Sequence, residues 1–116
     1  MTTDEICEFC RALPHVTEDV KWDDDLVFSI GGKMFCVAAL RGEDFAGFGF
    51  KASPENFANL LDREGIIPAP YLARAQWVYV EKADALTLEE AKSLLSEARN
   101  IVISKMTKRA QSEYVN

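Results

Sequence analysis

Two runs of apolar, β-forming residues stand on either side of Gly31-Gly32, LVFSI at 26–30 and KMFCVAAL at 33–40, and no other feature constrains this chain as tightly. Paired glycines tolerate the positive φ of a tight turn, so the pattern predicts an antiparallel hairpin. On its N-terminal side, Val20 and Trp22 predict a first strand that ends at an Asp23, Asp24, Asp25 turn. On its C-terminal side, residues 41–44 turn the chain into FAGFGFK at 45–51. The result is a meander of three or four strands.

Helices bracket this meander. Thr2 stands three before Glu5, the spacing of a capping box, and Ile6, Phe9, Cys10 and Leu13 then recur at helical intervals, giving a helix over about 3–12. Ser53-Pro54 reads as a cap with proline in the first turn, and a second helix runs on toward Gly65. The segment GIIPAPYLARAQ carries two prolines and reads as a loop leading into a strand, WVYVE at 77–81. Thr87 and Glu90 form another capping box, and Leu88, Ala91, Leu95, Ala98, Val102 and Met106 line one face of a long last helix. Residues 107–116 are polar and are expected to fray.

Strands in a run with helices at both ends predict one α+β domain over 1–116, an antiparallel sheet with helices packed on one face. A chain of 116 residues, 48% hydrophobic, builds such a core without disulfide or metal, so no cofactor is expected. The strand at 33–40 is apolar on both faces, so the proline-rich loop or a partner, including a second copy, must cover the second face. No run approaches the length of a membrane span and the N-terminus is acidic, which predicts no membrane association. With three cysteines, an odd number, a reducing cytoplasmic location is expected.

The formal net charge of −6 is unevenly placed. Eight acids, Asp4, Glu5, Glu8, Glu18, Asp19, Asp23, Asp24 and Asp25, stand against Arg11 and Lys21 before residue 26, and the remainder is neutral. Affinity for nucleic acid comes chiefly from Lys and Arg at phosphates, so the acidity counts against it for one end of the chain only. Lys33, Arg41 and Lys51 near strand ends, and Arg74 ahead of Trp77, set cations beside aromatics, an arrangement that touches phosphate or stacks bases. The early acids instead offer a surface for a cation, though DDD followed by Leu26 lacks the register of a calcium loop.

Other motifs carry less. Cys7 and Cys10 form a C-x-x-C inside a predicted helix, in phase with Phe9 and Leu13, and read as small core hydrophobes; a zinc site with Cys36 and His15 is the alternative. His15 is the one histidine, so catalytic relays have a single candidate. No nucleophile and base stand in a recognisable arrangement, so the protein is not expected to be an enzyme.

The stretch LPHVTEDVKWDDDLVFSIGGKMFCVAAL resembles the N-terminal half of the MmcQ/YjbR family, whose members read as a Leu-Pro, a Val-Thr-Glu and a hairpin built on Gly-Gly-Lys. PAPYLARAQWVYVE is similar to that family's second signature, proline and tyrosine ahead of a tryptophan that starts a strand, and Lys105 and Lys108 fit its final helix. The resemblance spans nearly the whole chain. It implies a small bacterial, cytoplasmic protein with a CyaY-like (frataxin-like) α/β sandwich and a DNA-binding role on a wing-like surface. Many members carry His, Asn and Lys before the tryptophan; here Ala73, Arg74, Ala75 and Gln76 leave Arg74 as the one cation. The frataxin analogy implies iron on the acidic first helix and strand. The leading expectation is a non-enzymatic DNA-binding module using Lys33, Arg41, Lys51, Arg74 and Trp77; the alternatives are an acidic cation- or iron-binding protein and a protein interaction module.

Overall fold

The structure, a computed structural model, describes residues 1–22, 24–42 and 44–114. It opens with helix α1 (Thr3–Ala12), started by the expected capping box: Thr2 Oγ1 accepts from the Glu5 amide at 3.1 Å, and the Thr2 amide donates to Glu5 Oε1 at 2.9 Å. Four strands follow as a meander, β1 (Thr17–Lys21), β2 (Asp25–Ile30), β3 (Lys33–Ala39) and β4 (Phe48–Lys51). Helix α2 (Pro54–Leu60), strand β5 (Ile66–Pro68), a 3₁₀ turn (Ala73–Ala75) and strand β6 (Trp77–Val80) come next. The chain closes with α3 (Leu88–Ser104), α4 (Lys108–Gln111) and a last 3₁₀ turn (Ser112–Tyr114). The sheet is open and antiparallel throughout, in the order β1-β2-β3-β4-β6-β5, which makes the fold α+β as expected.

Helices α1 and α3 lie on one face, and the core sits between them and the sheet. Phe28, Phe35, Phe48 and Phe50 are wholly buried there with Ile6, Cys10 and Leu95. Each such side chain contributes roughly 1.5–3 kcal/mol on leaving water. A bulge interrupts the β2–β3 ladder: Phe28 faces Cys36 but Ser29 faces Met34, leaving Phe35 as the extra residue. Phe35 and Cys36 are therefore both buried, whereas strict alternation assigns them to opposite faces.

The structure corrects several boundaries. The first strand lies over Thr17–Lys21 and leaves Trp22 outside it at φ 53°, 63% exposed. The expected strand at 45–51 begins only at Phe48, because Gly47 turns the chain at φ 97°. Helix α2 stops at Leu60, short of Gly65. The proline-rich loop hides β5, a three-residue edge strand whose Pro68 is tolerated because one side of it needs no donor. The tail expected to fray is helical through Tyr114, which packs with Met106 against the core.

Candidate nucleic-acid interface

The register decides which cations meet. β3 starts at Lys33, and Cys36 pairs with Phe50, so Lys51 ends β4 on the same side of the molecule and faces Trp77 at the start of β6. Lys51 Nζ donates to the Ala75 carbonyl, in the turn that carries Arg74. Partial burial, reinforced by the nearby charge of Lys105, lowers the Lys51 pKa. The C-terminal segment joins this end because Gly31 has no side chain: a Cβ there would lie 2.8 Å from Met106 Cε and 2.9 Å from the Tyr114 hydroxyl. Lys33, Lys51, Arg74 and Lys105 thus gather at one end of the sheet, with Lys108 and Arg109 on the segment beside it. Among the described residues none of these six takes part in an ion pair.

Arg41 does not join them. It follows the far end of β3, where its Nε lies 3.7 Å from Asp24 Oδ2. Consecutive turns of a meander alternate between the two ends of a sheet, so the tips carrying Lys33 and Arg41 cannot present one surface. Trp77 is 4% exposed and lines the second face of the sheet.

The acids named above are dispersed. Glu5 is used in the capping box, Glu18 accepts from Arg11 Nε at 2.9 Å, and Asp24 meets Arg41. Asp4 and Glu8 are exposed on α1, Asp19 is exposed on β1, and Asp23 lies outside the described residues. Among the described residues no group of three or more His, Cys, Asp or Glu could hold a metal ion. Cys7, Cys10 and Cys36 are buried free thiols. Burial pushes the Cys7 pKa up to about 11 and raises that of Cys36 as well, which makes both poor nucleophiles and poor ligands. His15 is exposed, with its ring edge-on to Tyr114 at 5.7 Å.

The second face of the sheet holds what sequence reasoning left unassigned. Alternation along the strands places Asp25, Val37, Gly49, Lys51, Trp77 and Tyr79 there. Residues 69–72 of the proline-rich loop fold over part of this face, as one of the two expected covers, and leave a groove of about 530 Å³. Met34, Val37 and Gly49 contribute to its lining, and Trp22 and Tyr71 are the exposed aromatics among its walls. Gly47 makes room for the Tyr79 phenol, whose hydroxyl donates to the Ala46 carbonyl at 3.3 Å. Burial raises the Tyr79 pKa; it also raises that of Asp25, with help from the charge of Asp24. Trp22 and Tyr71 both sit in the left-handed region, at φ 53° and 66°. Such strain costs on the order of 1–3 kcal/mol per residue and is concentrated at ligand clamps. The sequence signal for the groove was the strand apolar on both faces.

Among the described residues no helix is long and apolar enough to cross a membrane. No curated protein matches the chain. Among solved structures, the Deinococcus radiodurans protein DR2400, described as carrying the domain DUF419, superposes with a TM-score of 0.85 at 27% identity, over 97% of this chain and 87% of that one. A Pseudomonas syringae protein shares the fold at a TM-score of 0.70 and 19% identity, over 87% of this chain and 98% of its own. The YjbR family model matches residues 11–101, a span that includes the Gly-Gly-Lys hairpin, the groove and the loop carrying Arg74, and the chain therefore belongs to the YjbR family.

Proposed function

We propose that this protein is a non-enzymatic nucleic-acid-binding module that holds the phosphate backbone at the end of the sheet bearing Lys33, Lys51 and Arg74. The observation that carries this reading is the convergence there of cations that form no ion pair among the described residues, from parts of the chain as distant as the first hairpin and the loop before β6. Unpaired cations held near one another by backbone register bind phosphate without first breaking an internal ion pair. Of the site expected from sequence, Lys33, Arg41, Lys51, Arg74 and Trp77, this reading uses Lys33, Lys51 and Arg74 for phosphate, leaves out Arg41 because it lies beside Asp24 at the other end, and takes in Lys105, with Lys108 and Arg109 alongside.

The test is the salt dependence of binding to labelled single-stranded and duplex oligonucleotides, followed by fluorescence anisotropy. Each phosphate contact contributes about 0.7–0.9 to the slope of log K against log salt. Lys33→Gln, Lys51→Gln and Arg74→Gln should each lower the slope by about that amount, and Arg41→Gln should leave it unchanged. Absence of any complex at about 100 µM protein in low salt, the weak end of non-specific affinity, overturns the proposal.

A further inference from the structure

The groove on the second sheet face has ends of opposite character. Trp77 and Leu72 line it, and beside them stand Lys51, directly opposite Trp77 in the ladder, and Arg74, two residues beyond Leu72. Asp25 and Trp22 also line it, and they belong to the opposite end of the sheet, where β1 finishes and β2 starts. Between them the surface is apolar and partly aromatic. A volume of about 530 Å³ lies within the range of small-molecule sites, roughly 300–1,000 Å³. A nucleotide has the matching sequence of parts: a phosphate, a planar ring with an apolar face, and a ring edge bearing N–H donors.

We propose that this groove takes one unpaired base of a single-stranded nucleic acid, with its phosphate toward Lys51 and Arg74, its ring against Trp22 and Tyr71, and its amino edge toward Asp25. The inference rests on the phosphate reading above and specifies the form of nucleic acid and the base chemistry. Single-stranded ligand is required because a base within a duplex is stacked on both faces and cannot enter a groove between protein aromatics. An ionised carboxylate only accepts hydrogen bonds, so Asp25 selects a base with an exocyclic amine over thymine, whose exposed carbonyls would oppose it. The partial burial of Asp25 sharpens this choice, because a carboxylate withdrawn from water gains more from each donor it meets. Trp22 and Tyr71 both line the groove with exposed rings, so their faces are open to a base without prior rearrangement of the core.

The test is a titration of tryptophan emission, to which exposed Trp22 responds, with oligo(dC), oligo(dT), a blunt duplex and free dCMP at constant low salt. Oligo(dC) is expected to quench and to bind more tightly than oligo(dT). Tyr71→Ala, at a fully exposed position that leaves folding intact, should weaken oligo(dC) binding by roughly 5- to 150-fold, the range for loss of one stacked base. Asp25→Asn should remove the preference for dC over dT. If oligonucleotides bind with salt dependence yet Tyr71→Ala and Asp25→Asn behave as wild type, the groove proposal is overturned while the phosphate reading stands. If no oligonucleotide binds, both fall. Quenching by free dCMP as strong as by oligo(dC), or tighter binding of the duplex, also overturns it.

Discussion

Replacing Gly47 by alanine tests how the groove wall is built. Gly47 sits at φ 97°, and a Cβ placed there would fall 2.8 Å from Tyr79 Cζ and 2.9 Å from Cε2. The ring has little room to retreat, since Tyr79 lies in a central ladder opposite Gly49 and its hydroxyl is tied to the Ala46 carbonyl. Two costs add. The left-handed backbone costs a Cβ-bearing residue about 1–2 kcal/mol, and overpacking against a confined ring costs about 1–3 kcal/mol. Restricting the unfolded chain returns about 0.4–1 kcal/mol. The net loss is about 2–4 kcal/mol, and at roughly 4 °C per kcal/mol for a chain of this size the melting temperature falls by about 8–16 °C. A double-mutant cycle separates the terms: in a Tyr79→Ala background the steric part vanishes and only the backbone part stays. The coupling should therefore be about 1–3 kcal/mol by urea denaturation of the four proteins. A Gly47→Ala cost below about 0.5 kcal/mol, or the same cost in both backgrounds, would refute the account of Tyr79 as fixed by Gly47.

Three further outcomes follow from named contacts. Thr87→Ala removes the hydroxyl that accepts from the Glu90 amide at 3.1 Å and should cost about 1 kcal/mol in chemical denaturation; no change would show that the Arg63 bond to Glu90 holds the helix start alone. The folded pKa of Asp25 is raised, so its ionised form is penalised in the folded state, and the penalty grows as pH rises through the folded value and is absent below the unfolded one. Asp25→Asn should thus stabilise the protein at pH 7 and have no such effect at pH 3, and the reverse order in thermal melts would contradict burial as the cause. The three buried thiols should react with iodoacetamide at pH 8 only in denaturant; modification of the native protein at the rate of a free thiol would show that α1 opens readily.

The hairpin, the caps and the long final helix were legible because each is a local device. Gly31-Gly32 turns regardless of what surrounds it, and Thr2 with Glu5 or Thr87 with Glu90 closes a hydrogen-bonded ring within four residues. The strand β5 was not legible, because Ile66–Pro68 is too short for a period to show and becomes a strand only by pairing with Val78–Val80. Tyr114 gives the same lesson in the tail: its partners, Gly31 and His15, are distant in sequence, so polarity nearby suggested fraying where long-range packing imposes order. For the site, Lys33, Lys51 and Arg74 were identifiable as cations near strand ends, but Arg41 could be set aside only by counting turns along the meander. Trp22 and Tyr71 carried no signal of a shared groove, since one follows the first strand and the other lies beyond β5.

The net charge of −6 remains an objection to phosphate binding, and the fold answers it by distance. Asp4 and Asp44 lie together near Arg41, and the Leu40 amide donates to the Asp24 carbonyl at 2.8 Å, which places these acids at the end away from Lys33 and Lys51. The two ends are separated by the length of β3, seven residues or about 20 Å. At physiological ionic strength the screening length is about 8 Å, so a phosphate at the basic end responds to the cations beside it and not to the total charge. At about 0.01 M salt that length grows to about 30 Å and the acidic end begins to repel the same phosphate. The plot of log K against log salt should therefore be straight at moderate salt and flatten toward low salt, whereas simple counterion release predicts one slope throughout. Anisotropy titrations from about 10 to 200 mM salt distinguish the two, spanning screening lengths of about 30 to 7 Å. Neutralising Asp4 and Asp44 should restore linearity; a straight line in the unmodified protein would mean that the acidic end exerts no force on the ligand, and that the separation of charge plays no part in binding.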